Sequence, residues 1–184
     1  LMKGKIKSPF LRVLFSFAAS ALVALFFPLI SGSGHQLIDQ LTLTWGLAFL
    51  CLVFAAKFLI SIISYTSGVP GGIFFPLLVL GASLGSIFAT TVIPLLHLSP
   101  NLFPNFIILA MAATFTAIVR APMTGILLLV EMTGSFDHLL PLAFVSLISY
   151  LVAELLHSEP IYDSLLHNLL TADSDIATEK EGHI

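Results

Sequence analysis

Charge is what this chain has least of: only 9% of its 184 residues are Asp, Glu, Lys or Arg, against roughly 25% in an ordinary soluble domain. Between Val13 and Val119 the only formally charged side chains are Asp39 and Lys57, and from Phe58 to Val119 there is none. An uncharged run of that length exceeds any single buried core helix and excludes the soluble globular class. Cysteine is nearly missing too. The lone Cys51 rules out an intrachain disulfide framework and a cysteine-rich metal site, and inside an apolar run it reads as a small core hydrophobe. No basic stripe offers a footprint for nucleic acid. The six histidines show neither a paired helical spacing nor a His-Glu-x-x-His motif, so no metal is expected. The apolar segments hold no nucleophile with a base and no carboxylate pair, so no enzyme is expected either.

What is present is apolar surface, 58% of the residues, broken by turn residues into seven pieces: 9–30, 44–66, 73–95, 104–118, 122–132, 138–156 and 160–170. The first three and 138–156 approach the ~20 residues a full helical span requires, while 104–118, 122–132 and 160–170 read as partial-depth helices. The expected fold is all-α, that of a polytopic membrane protein. Pro122 and Pro160 suit first helical turns, and Pro100 and Pro104 bracket a polar loop. Gly81 and Gly85 form a small-xxx-small pair, read as close helix packing. Lys3, Lys5, Lys7 and Arg12 precede an apolar stretch that runs to Ile30, which places the N-terminal end in the cytoplasm. That stretch is too long for a signal peptide, and a first residue Leu1 suggests a start inside a longer chain. The net charge of −3 comes mostly from Asp173, Asp175, Glu179 and Glu181 in a polar acidic tail, 172–184, beyond a membrane domain of residues 1–171.

The most informative stretch is Gly68-Val69-Pro70-Gly71-Gly72-Ile73-Phe74-Phe75-Pro76. It interrupts the backbone in the middle of the apolar region, just where a new helix begins. The first N–H groups of a helix lack intrahelical partners and carry the positive end of the macrodipole, so glycines that admit a close approach make an anion site without a charged side chain. Broken helices at membrane depth are tolerated where they line a cavity or are buried in protein. Phe74 and Phe75 alone would read as lipid-facing or core aromatics, and only the preceding glycines make backbone donation plausible.

Gly71-Gly72-Ile73-Phe74-Phe75-Pro76 resembles the glycine-x-phenylalanine-x-proline signature of the CLC chloride channels and proton/chloride antiporters. Further matches follow in order: Met111 to Gly125, which includes Arg120-Ala121-Pro122, then Glu131-Met132-Thr133-Gly134, then Ser158-Glu159-Pro160-Ile161-Tyr162, with Ser31-Gly32-Ser33-Gly34 upstream as a glycine-rich turn. The resemblance runs from about Lys3 to Leu170 and is to the second of the family's two inverted halves. It implies an anion transporter with chloride as bound and transported ion, no cofactor, possible proton coupling, and a homodimer whose interface lies on helices matching 122–132 and 138–156. The location it implies is the cell inner membrane, in a lipid bilayer, with the tail cytoplasmic. Ile73 and Phe74 match the positions whose backbone amides face chloride, Gly71, Gly72, Phe75 and Pro76 shape that turn, and Tyr162 matches the phenol that donates to the ion. Outside the matched Pro-x-Tyr context Tyr162 would read as an interfacial anchor. Neutral donors suit the task, since they avoid the desolvation cost of a buried lysine or arginine and hold the ion weakly enough to release it. The family's gating glutamate and the serine that contacts the central anion belong to the half this sequence does not include. Arg120 and Glu131 are expected to cap or pair near an interface, and Lys57 to attract anions or to snorkel toward an interface. A structural or assembly subunit without transport of its own is the alternative, though it leaves the glycine-rich break unexplained.

Overall fold

The computed structural model describes residues 9–26, 34–66, 72–166 and 170. The basic residues Lys3, Lys5 and Lys7, residues 31–33 of the glycine-rich turn, Gly71 and the acidic tail lie outside the described residues. The regular elements are α1 (Pro9–Phe26), α2 (His35–Gln40), α3 (Leu47–Thr66), α4 (Phe74–Leu95), a 3₁₀ turn (Pro100–Leu102), α5 (Phe103–Val119), α6 (Pro122–Thr133) and α7 (Leu139–Leu155). A last helical turn covers residues 161–166, and no strand occurs among the described residues.

Among the described residues, three stretches are long and apolar enough to cross a membrane: Leu47–Tyr65, Phe74–Leu95 and Pro100–Val119. The third corrects the partial-depth reading of 104–118. Ser99 Oγ accepts from the Asn101 N–H at 3.4 Å and Pro100 sits at the first helical position, so the expected polar loop instead winds as a 3₁₀ turn straight into α5. Conversely, the piece at 138–156 yields a helix of 17 residues, about 26 Å long at 1.5 Å per residue and shorter than expected. The short α2, inside a segment assigned no element from sequence, is a further addition.

The chain divides into two compact units, Leu1–Thr114 and Phe115–Ile184. In the first, α3 packs against α1 and α4, and α2 packs against α4. Leu37, Val53 and Val79 form a buried cluster flanked by Ile38 and Trp45, and Ser16 Oγ ties α1 to α3 by donating to the Ile63 carbonyl at 3.1 Å. Gly34 opens α2 in the left-handed region (φ +85), where a Cβ would stand 2.9 Å from a Val79 methyl and 3.1 Å from Lys57 Nζ. Lys57 is only 2% exposed, so it does not snorkel; its ammonium is held inside, under the start of α2. Ser83 and Ser86, buried in α4, each donate to the carbonyl four residues back at 2.9 Å, as an apolar surrounding demands, whereas the buried Thr90 Oγ1 of the same helix has no hydrogen-bond partner among the described residues.

In the second unit α6 packs on α7, and Gly125 lets the Phe115 ring lie where a Cβ would come within 2.8 Å of it. Pro122 is at the first helical position of α6, as its sequence context indicated, and Gly134 closes that helix at φ +63. Phe17, Leu52, Leu59, Phe88, Met123 and Phe144 are all more than half exposed. Exposed apolar side chains this numerous on each unit suit lipid or a protein partner. Cys51 belongs to that outer surface, which corrects its reading as a core residue: apart from Lys57 the first four turns of α3 are apolar all round, and hydrophobicity alone does not choose which side faces in.

Candidate anion site

Gly72 and Ile73, the described residues of the predicted break, are non-helical. α3 ends at Thr66, α4 starts at Phe74, and Ile73 is the residue before the helix at φ −84 and ψ −28. The Ile73 carbonyl accepts from the Leu77 N–H at 3.2 Å. Pro76 is the third helical residue, where an N–H would in any case lack an intrahelical acceptor, so the proline costs α4 no hydrogen bond. Ile73, at the N-cap, makes no side-chain cap hydrogen bond, and the first turn carries no carboxylate. The positive end of a 22-residue helix is thus left without a counter-charge from its own first turn, and in a low-dielectric medium that favours an anion.

Ile73 and Phe74 are half-buried, while Gly72 is exposed and a Cβ there meets nothing within 4 Å. Packing within the described residues therefore does not demand glycine at 72; its effect is to leave open space beside the first amides of α4. Phe75 carries its ring outward at 39% exposure. It lies against the His35 ring at 6.2 Å and edge-on to Phe74 at 5.4 Å, so α2 braces the opening from one side. Gly72, Ile73, Phe74, Phe75 and Pro76 are brought together by α4, in the first compact unit.

Tyr162 belongs to the second unit, where it is 56% exposed on the turn at 161–166. Pro160 begins that turn. Its carbonyl accepts from the Ser164 N–H, and the Ser164 hydroxyl donates to Glu159 Oε2, both at 3.2 Å. Arg120 pairs, as expected: Nη1 bonds Glu154 Oε2 at 3.2 Å and the Tyr150 carbonyl at 3.1 Å, and Nη2 donates to the Ser158 carbonyl at 2.7 Å. That last contact, four residues before Tyr162, was not legible in sequence, because its acceptor is a main-chain carbonyl 38 residues away. Glu131 is exposed on α6. Among the described residues no group of histidine, cysteine and carboxylates is placed to hold a metal ion.

All-α architecture, three helices of spanning length among the described residues and a helix start opened by glycine define a polytopic membrane protein. Residues 1–154 match the family model described as "Voltage gated chloride channel", and the chain belongs to that family. Among curated relatives, the H(+)/Cl(-) exchange transporter ClcA of Vibrio parahaemolyticus is 40% identical over 156 residues, 83% of this chain and 33% of the relative. ClcA of Klebsiella pneumoniae is 37% identical over 153 residues, 81% of this chain and 32% of the relative. A solved structure of a slow cyanobacterial Cl-/H+ antiporter is similar at a TM-score of 0.61 and 37% identity, over 70% of this chain and 30% of that one. The chain thus spans about a third of the length of the curated relatives it matches. Tyr162 lies beyond the stretch that the family model matches.

Proposed function

We propose that this chain forms the second half of a transmembrane chloride transporter and contributes the backbone amides at Ile73 and Phe74, together with the Tyr162 hydroxyl, to its anion site. The observation that carries the reading is the start of α4, with no carboxylate in its first turn and opened by Gly72, in a chain of the chloride channel family. Gly71 and Pro76 complete the turn, and no cofactor takes part. Chloride exchanges its water shell for fixed amide and hydroxyl dipoles, and no bond is broken. The donors are neutral, so the ion is held without a buried cationic side chain and leaves readily. Proton exchange is supported by what the relatives are called. The protons would be carried by groups of the other half, whose donors the site also needs. The N-terminal end and the tail face the cytoplasm of a cell with this protein in its inner membrane.

The test is the pair Tyr162→Phe and Tyr162→Ala in the full-length protein. Phe removes one hydroxyl and keeps the ring, and chloride affinity by calorimetry is expected to fall by about 1.5 kcal/mol and by no more than ~3 kcal/mol. Ala also removes the ring, which is expected to loosen the path to the cytoplasm and lower the number of protons moved per chloride. Identical affinity in wild type and both variants makes Tyr162 an interfacial anchor and ends its role in the site.

The full-length protein is proposed to be a homodimer through α6 and α7. Met123 and Leu127 on α6, and Leu140, Phe144, Leu147 and Leu151 on α7, are all more than half exposed, and the two helices pack together, giving one broad apolar face. Crosslinking in lipid vesicles is expected to trap two chains. A species that stays monomeric across protein-to-lipid ratios defeats the assignment.

A further inference from the structure

Arg120 sits at the junction of α5 and α6 with φ +62, a region that non-glycine residues seldom occupy unless the surroundings hold them there. Its N–H still bonds the Thr116 carbonyl at 2.9 Å, so α5 ends cleanly and the side chain is turned back toward α7. That side chain is only 8% exposed. Its guanidinium lies 5.6 Å from the Tyr150 ring centroid and bonds two main-chain carbonyls at once, Tyr150 in the last turns of α7 and Ser158 in the loop beyond it. The Glu154 carboxylate it also meets is 67% exposed, so water screens that ion pair and the carbonyl bonds define the geometry. Nε is buried with no hydrogen-bond partner: the orientation satisfies the reach to Ser158 in preference to every donor.

The loop so gripped is short and stiff. α7 stops in a turn with His157 at φ +51, where the Ser158 N–H returns to the Ala153 carbonyl at 3.2 Å and the His157 N–H to the Glu154 carbonyl at 3.0 Å. Pro160 then fixes φ two residues after Ser158, and Ser164 closes on both Pro160 and Glu159. A displacement of the Ser158 carbonyl is therefore passed on to Tyr162 rather than absorbed. We propose that Arg120 is a positioning residue for Tyr162: by tying the Ser158 carbonyl to the end of α7, it sets where the phenol hydroxyl stands. This rests on the reading of Tyr162 as an anion donor. Lysine does not substitute, because one ammonium point donor does not reproduce a planar fork that spans two carbonyls.

The experiment uses the full-length protein with 3-fluorotyrosine at position 162, as wild type, Arg120→Lys and Arg120→Asn. Asparagine accepts the left-handed backbone more readily than most residues, which protects the fold while deleting the clamp. Both variants are expected to shift or broaden the fluorine resonance and to weaken chloride binding about tenfold. In a Tyr162→Phe background the same changes at Arg120 are expected to have less than a third of that effect, because they act through the lost hydroxyl. An unmoved fluorine resonance overturns the positioning role. If Tyr162→Phe weakens binding and the Arg120 effect remains undiminished beside it, the anion site stands and the clamp is rejected. If Tyr162→Phe leaves binding unchanged while Arg120 variants move the resonance, the clamp is real but the tyrosine is not a ligand.

Discussion

Replacing the amide between Ile73 and Phe74 by an ester, with phenyllactic acid at position 74, is expected to weaken chloride binding by the full-length protein by about 1.5–3 kcal/mol, roughly 10- to 150-fold. The substitution deletes the Phe74 N–H and leaves the ring untouched. It therefore separates the backbone donor from the half-buried aromatic, which no natural residue does here: proline at 74 would disfavour the helical conformation that Ile73 adopts at φ −84 and ψ −28. Phe74→Leu keeps the amide and is expected to change affinity little. An ester at Leu84, in the interior of α4, should lower the thermal midpoint without altering chloride binding. Calorimetric titration of the three proteins decides the matter, and an ester at 74 that binds chloride like wild type removes this amide from the site.

Leucine at Gly81 or Gly85 is expected to prevent recovery of folded protein, and alanine at either to cost about 1–3 kcal/mol through overpacking. A Cβ on Gly81 would stand 2.8 Å from the Met111 Cα and 3.0 Å from the Ala110 carbonyl oxygen, and one on Gly85 2.8 Å from the Phe106 carbonyl oxygen and from the Ala110 Cβ. These neighbours are main-chain atoms and a Cβ, which do not swing aside as the end of a long side chain does. The α4–α5 contact must open instead, losing dispersion along both helices at a place where lipid supplies no compensating hydrophobic drive. Gly46→Ala is the control, since a Cβ there meets nothing within 4 Å. Thermal unfolding in detergent should leave that variant unchanged, and Gly81→Ala with the wild-type midpoint would refute the packing account.

The features legible in the sequence are those set by local chemistry. The break before α4 follows from two glycines and a proline around a helix start, and the entry to α6 from Pro122. The small-residue pair at 81 and 85 announced a close helix neighbour without naming it; the structure supplies α5. The uninterrupted apolar runs announced membrane helices, but their bounds failed where a short polar side chain intervened. The hydroxyl of Ser99 caps a 3₁₀ turn, which lengthens the third spanning stretch to Pro100–Val119.

Tertiary structure alone decided which face of each helix is covered. In α4, Leu78 is 1% exposed and Leu84 42%, though nothing distinguishes the two side chains; in a helix apolar all round, the periodicity that marks the inner face of a soluble helix is missing. It alone buried Lys57 beneath Gly34. It also closed α4 and α7 with histidines in the left-handed position, His97 and His157 both at φ +51, where a sequence reading looks for glycine. And it joined Arg120 to a carbonyl 38 residues away, a contact that leaves no pattern in the sequence, because every residue offers a main-chain carbonyl and only the packing of α7 brings this one within reach.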